Sequence, residues 1–209
     1  MYKQTLGENT ERVLEKIAKS GVLEQFYLAG GTALALELGH RKSEDLDWFS
    51  AEPFSSETVK KRLSKSGTFQ LTGEEEGTIH GVLDEVKISF LRYDYEMLFP
   101  FIRFESVNVA EERDIAAMKI DALSSRGSRK DFVDIYFLLQ KYTLSELMGF
   151  FEKKYRNIQF NKLHILKSLV FFEDAEVEPM PKMIQIVGWE AIKQKVREET
   201  TAMLKLGII

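Results

Sequence analysis

Two adjacent glycines stand between a short apolar run and a helix-forming run: Gln25 to Ala29, then Gly30-Gly31-Thr32, then Ala33 to Leu38. A missing Cβ frees the backbone to pass that abruptly from strand into helix. The spacing therefore predicts a strand, a glycine turn and a helix that Gly39 ends. After a polar stretch, Asp45-Leu46-Asp47-Trp48-Phe49 predicts a second strand. Strand side chains alternate between faces, so Asp45 and Asp47 share one face while Leu46 and Trp48 enter the core.

The rest of the chain builds around this unit. Glu11 to Ser20 carries Val13, Leu14 and Ile17 on one helical stripe. Ser55 to Ser66 predicts another amphipathic helix, with Val59 and Leu63 inward and Gly67 closing it. Thr68–Leu71, Thr78–Leu83 and Val86–Leu91 read as strands, with an acidic loop at Gly73–Gly77 and an Asp84-Glu85 hairpin turn. Phe101 to Val109 reads as one more strand. Beyond Asn108 the apolar period becomes helical, with breaks at Gly127-Ser128 and at Glu178-Pro179-Met180-Pro181 before a last helix near Trp189 to Leu204. The expected fold class is α+β: a lobe with a mixed or antiparallel sheet over residues 1–108, then a helical lobe over residues 109–209.

Composition narrows the chemistry. With 209 residues and 44% hydrophobic content the chain has material for a core. It has no cysteine, which removes disulfides, thiolate metal sites and cysteine nucleophiles. His40, His80 and His164 are far apart and form no paired metal-binding spacing. Twenty-nine Lys and Arg against 33 Asp and Glu leave a net charge of -4, which argues against a protein that simply coats duplex DNA. No apolar run approaches the roughly 20 residues a membrane helix needs, and the amino terminus lacks a signal-like core. A cytoplasmic protein with no membrane partner is expected.

Two stretches carry the chemistry. In the first, paired carboxylates at a strand end repel unless a cation lies between them. Mg²⁺ suits them because it takes carboxylate oxygens together with substrate phosphates. Gly30 and Gly31 let backbone N–H groups approach a triphosphate, the next helix adds its positive end, and Thr32 adds a hydroxyl. Nearby, Arg41 is a partner for an aspartate or a phosphate, Lys42 reads as a wet-loop residue, and His40 as a turn or core-edge histidine. In the second stretch, Arg113 to Leu139, Lys119 emerges near the apolar side of its helix and must snorkel out or meet an anion. Lys130, Asp131 and Asp134 open the following helix, with Asp131 and Asp134 on one face and Lys130 and Asp134 at ion-pair spacing. Arg126, Arg129 and Lys130 give local positive charge on which a polyanion can dock.

Taken together, the two stretches resemble the nucleotidyltransferase-fold AbiEii/AbiGii toxin family of type IV toxin–antitoxin and abortive-infection systems. The glycine turn and DxD match at Gly30, Gly31, Thr32, Asp45 and Asp47. The lysine helix and the KDxxD helix match at Lys119 and at Lys130, Asp131 and Asp134. The likeness is clear over roughly residues 20 to 140 and looser through Phe171 to Met183. It implies a polymerase-β-like core that binds a nucleoside triphosphate with Mg²⁺, an RNA acceptor with tRNA among the candidates, and a separately encoded antitoxin. It also implies that the helical lobe completes the active site. One departure stands out. The family fold often places a third carboxylate on a neighbouring strand, and here VKISF puts Lys87 and Ser89 on one face, with Ser89 where the acid is expected. The base would then be Asp131 or Asp134, or the chemistry is weakened.

The reading that follows is Mg²⁺-dependent nucleotidyl transfer. Asp45 and Asp47 hold the metal, and Gly30, Gly31 and Thr32 cradle the outer phosphates. Lys119 neutralises charge, with Lys87 and Lys130 as further phosphate contacts. Asp131 orients Lys119 or activates the acceptor, and Asp134 supports it. The rival readings are a nucleotide-binding or protein-interaction module without turnover, a metal-dependent nuclease or phosphohydrolase, and a purely structural protein.

Overall fold

The acidic strand lies at the centre of a seven-stranded sheet. The strands are β1 (Tyr27–Ala29), β2 (Leu46–Ser50), β3 (Phe69–Glu75), β4 (Thr78–Leu83), β5 (Val86–Arg92), β6 (Ile102–Phe104) and β7 (Val107–Val109). They are ordered β3-β4-β5-β2-β1-β7-β6. β2 runs parallel to β5 and antiparallel to β1, while β7 runs parallel to β1, so of the two expected forms the sheet is the mixed one. This is the computed structural model of the chain, and it describes residues Met1–Lys205.

One face of the sheet is apolar. Leu28, Leu46, Trp48, Ile79, Ile88 and Phe90 are all buried on it. Phe90 is its centre: its ring lies 5.0 Å from Phe26 edge-on and 6.3 Å from Trp48 in a stacked arrangement. Helices α1 (Glu8–Lys19) and α3 (Ser56–Ser66) belong to this unit and bury Val13, Leu14, Ile17, Val59 and Leu63. Ser55 caps α3 by accepting from the Thr58 N–H at 3.3 Å. Helix α2 (Gly30–Leu38) follows β1 directly and ends at Gly39, whose φ of 67° is left-handed.

Several boundaries differ from the sequence reading. β1 begins at Tyr27 because Val22–Gln25 forms a 3₁₀ turn first. β3 runs to Glu75, so most of the expected acidic loop is strand. A register shift between Leu71 and Gly73 lets Gly73, Glu74 and Glu75 keep pairing with β4. Phe101 to Val109 is two strands, reversed at Glu105, which takes φ 51°. The hairpin at Asp84-Glu85 is as expected, with φ of 45° and 70°.

The chain divides into two compact units, Met1–Glu111 and a helical unit from Glu112 onward. β7 lies in the first because Val109 pairs with Leu28. The helical unit contains α4 (Glu112–Ser125), α5 (Arg129–Leu138), α6 (Leu144–Lys154), α7 (Lys162–Leu169), the short α8 (Glu173–Glu176) and α9 (Trp189–Lys205). α6 opens with a full capping box, Thr143 accepting from the Glu146 N–H and Glu146 accepting from the Thr143 N–H. α4 and α6 are pinned by Lys154 Nζ donating to Asp114 Oδ1 at 2.8 Å, both side chains at 0% exposure. Among the described residues no helix is long and apolar enough to cross a membrane.

Phe90→Ala removes the ring on which the sheet's apolar face is assembled. It is expected to cost about 3–5 kcal/mol, read as a lower urea midpoint with an unchanged m-value.

Candidate functional site

In the sheet unit, the glycine pair does two separate jobs. β1 ends at Ala29 and α2 starts at the next residue, so the turn is the helix's own first turn. Gly30 has φ +71°, and a Cβ there would lie 3.2 Å from Asp47 Oδ2. Ala29 pairs with Asp47 across β1 and β2. Asp47 is thereby seated against the start of α2, where unpaired backbone N–H groups and the helix dipole provide positive potential. A Cβ on Gly31 would lie 2.5 Å from Arg41 Nη2. Arg41 is only 3% exposed, so its guanidinium packs on Gly31 inside the protein. His40 is buried too, and Lys42 donates to the Gln4 carbonyl.

Thr32 is also internal. Its hydroxyl donates to the Asp45 carbonyl and lies 2.8 Å from Ser43 Oγ. That bond ties the entry of β2 to α2, and it uses the hydroxyl proton that the sequence reading assigned to a phosphate.

Asp45 immediately precedes β2 and Asp47 lies within it. Both are half-exposed, while Leu46 and Trp48 between and beyond them are at 0%. The in–out alternation therefore carries through both aspartates, as the sequence predicts. Asp47 pairs in register with Ser89 of β5, and Ser89 pairs with His80 of β4. Paired residues share a face, so Ala29, Asp47, Ser89 and His80 make one row across four strands. His80 Nδ1 lies 3.1 Å from Ser89 Oγ. Lys87 precedes Ser89 by two residues and is exposed on the same face. Sequence reasoning singled out Ser89 but missed His80. The alternation of β4 already turned His80 outward with Thr78 and Val82, but the strand order that brings it to Ser89 is a tertiary fact.

The donor set suits a small hard cation. Among the described residues no three His, Asp or Glu side chains converge as a complete metal cage. Two half-exposed carboxylates beside a side-chain-free glycine are instead what Mg²⁺ takes from a protein when substrate phosphates and water fill its remaining positions.

In the helical unit, Lys119 has met its anions rather than snorkelling out. Its Nζ lies 2.7 Å from Asp131 Oδ1 and 2.6 Å from Asp134 Oδ2, with the lysine side chain 7% exposed and both aspartates at 0%. Asp131 also accepts from Ser128 Oγ at 2.7 Å and from Arg126 Nε at 3.2 Å. Burial by itself would raise the Asp131 pKa, but the charge and hydrogen bond of Lys119, with Arg126, hold it below the usual 3.8. The cationic patch is smaller than the sequence suggests. Arg129 turns inward, donating to the carbonyls of Ala175 at 2.7 Å and Glu176 at 2.9 Å, with its guanidinium 4.6 Å from the Trp189 ring centre. Lys130 is exposed, and the Arg126 side chain is 63% exposed.

Comparison with known proteins adds a family. The model of the nucleotidyl transferase AbiEii toxin family, type IV toxin–antitoxin system, matches residues 12–204. The uncharacterised protein aq_aa25 of Aquifex aeolicus (strain VF5) is 38% identical over 205 residues, covering 92% of this chain and 97% of that one. Among solved structures, JHP933 from Helicobacter pylori aligns with a TM-score of 0.58 at 17% identity, over 97% of this chain and 93% of that one. MenT4, the nucleotidyltransferase toxin Rv2826c of Mycobacterium tuberculosis H37Rv, aligns with a TM-score of 0.55 at 12% identity, over 95% of this chain and 85% of that one. These two share the fold.

Lys119→Met removes the cation shared by two buried carboxylates and is expected to destabilise the protein by about 3–5 kcal/mol at neutral pH. Because the folded pKa of Asp131 lies below 3.8, its contribution is complete above that value and is lost as pH falls through the folded one. The gap in urea midpoint between the two proteins is therefore expected to narrow on acidification below about pH 4.

Proposed function

Since the chain belongs to the AbiEii nucleotidyltransferase toxin family, we propose that it transfers a nucleotide from a nucleoside triphosphate to an RNA acceptor, with tRNA among the candidates. The observation that carries this reading is the pair Asp45 and Asp47, on one face of β2, beside the first turn of α2. Magnesium held by these carboxylates supplies charge neutralisation at the phosphates and makes the α-phosphorus more open to attack. The backbone N–H groups at Gly30 and Gly31 bind the outer phosphates, and the α2 dipole orients them. Thr32 acts through Asp45, holding its main chain in place rather than touching the nucleotide. Lys87, exposed on the row's face, is a further phosphate contact.

For the helical unit, the same reading gives Lys119, 7% exposed, the role of holding a polar cluster in place rather than of touching phosphate. Asp131 and Asp134 fix its ammonium group, and Lys130 is an outer contact for the polyanion. With its oxygens engaged by Lys119, Ser128 and Arg126, Asp131 is better suited to orienting the lysine than to taking a proton. The partner in the cell is a separately encoded antitoxin. Ser89 at the expected acid position favours one second reading, nucleotide binding without turnover.

The experiment is incubation of the protein with each α-labelled nucleoside triphosphate, Mg²⁺ and total RNA. Label is expected to enter an RNA band, and Asp45→Ala or Asp47→Asn is expected to lower incorporation by at least about 100-fold, the equivalent of ~2.7 kcal/mol of barrier, while the urea midpoint stays near that of the unsubstituted protein. Undiminished incorporation by folded Asp45→Ala would sink the assignment.

A further inference from the structure

We propose that Ser89 and His80 together form the proton acceptor of this site, Ser89 taking the proton of the attacking hydroxyl while its own passes to His80. The inference rests on the nucleotidyl-transfer reading of Asp45 and Asp47.

Transfer requires the acceptor hydroxyl to lose a proton close to the carboxylates that hold the metal and phosphate. Strand register decides which side chains flank Asp47 in its row. On β1 the neighbour is Ala29, which has no proton-accepting side-chain atom; on β5 it is Ser89, one strand spacing of about 4.8 Å away. Asp131, Asp134 and the hairpin carboxylate Asp84 are engaged elsewhere. Asp131 and Asp134 hold Lys119. Asp84 stands in the β4–β5 hairpin turn, paired with Lys16 at 2.6 Å.

A serine hydroxyl is a poor base alone, but it becomes a relay when a stronger base receives its proton, the arrangement that activates hydroxyl nucleophiles. His80 supplies that base. Its Nδ1 lies 3.1 Å from Ser89 Oγ, within the reach of about 2.6–3.2 Å that general-base catalysis needs. With the imidazole proton on Nε2, Nδ1 is the acceptor and Oγ the donor. The acceptor O–H bond then breaks as Oγ takes its proton, and the Oγ proton moves to Nδ1. The acceptor oxygen bonds to the α-phosphorus, and the bond from that phosphorus to the bridging oxygen breaks. Its electron pair leaves with pyrophosphate. His80 is exposed and returns its proton to water. Ser89 is thus a catalytic residue and His80 a positioning and proton-holding residue that acts through it.

A cross-strand His–Ser contact that merely steadies β4 against β5 would look the same in a static structure. The kinetics differ. Transfer of α-labelled nucleotide to RNA is measured for the full chain and for Ser89→Ala, His80→Gln, Ser89→Asp and the double variant His80→Gln/Ser89→Asp. Ser89→Ala and His80→Gln are each expected to lower kcat by about 100-fold, the lower end of general-base contributions, with the nucleotide KM within about twofold. Ser89→Asp places a carboxylate base in the row. It is expected to recover at least about tenfold over Ser89→Ala, and in that background His80→Gln has no further effect.

Full-rate transfer by His80→Gln overturns the proposal and leaves the transfer reading standing. So does a rise in KM at unchanged kcat, or the same His80→Gln loss in the Ser89→Asp background. A nucleotide covalently attached to Ser89, seen by intact mass, also overturns it, because the hydroxyl is then the acceptor and not the relay. Absence of transfer by the unsubstituted protein to any RNA overturns both readings together.

Discussion

A central strand with one face in the core and the other open to water tolerates no slip in register, and β2 is that strand. Moving its pairing by one residue would carry Asp45 and Asp47 into the apolar face and expel Leu46 and Trp48. Burying unpaired carboxylates costs several kcal/mol each. Phe90 stacks on Trp48 from the neighbouring strand and reinforces the same choice. The constraint is strong enough to leave a polar atom unsatisfied: among the described residues, Trp48 Nε1 is buried without a hydrogen-bond partner. The burial of the large indole outweighs that loss, typically about 1–3 kcal/mol. The open face and its row of polar groups are the direct consequence.

Around this strand the remaining features make sense as supports. Gly30 brings the start of α2 against Asp47, Thr32 ties the Asp45 main chain to the helix, and Arg41 fills the space above Gly31. The helical unit solves a related problem by the opposite means. It buries Lys119 but surrounds it with Asp131 and Asp134, and it gives Asp131 two further donors. Lys154 and Asp114 repeat the device at full burial. Such pairs add little net stability over an apolar contact, yet removing one partner is costly, so they define geometry more than they raise stability.

How much of this could be read without coordinates follows the range of the forces involved. The alternation of Asp45 to Phe49, the Asp84-Glu85 hairpin and the break at Gly39 were readable because each depends on a few neighbouring dihedral angles. Helical spacing alone marked Lys119 as a cation that must snorkel out or meet an anion, and the fold decided for the anion. The splitting of Phe101–Val109 into β6 and β7 was missed because its reversal is made by Glu105 at positive φ, a residue type with no turn signature. The inward turn of Arg129 was missed because its partners, Ala175, Glu176 and Trp189, lie more than forty residues away.

The amino-acid sequence by itself determined the α+β class, the pairing of two carboxylates on one strand face, the glycine entry to α2 and membership in a nucleotidyltransferase toxin family. The first three depend on local geometry and on the cost of burying charge, both of which repeat from residue to residue; the family follows from likeness to known sequences. Only the tertiary structure decided that β5 lies beside β2, that Ser89 is the neighbour of Asp47, and that His80 reaches Ser89. Strand order is set by how the apolar face is covered as a whole, and no spacing within a single segment records it.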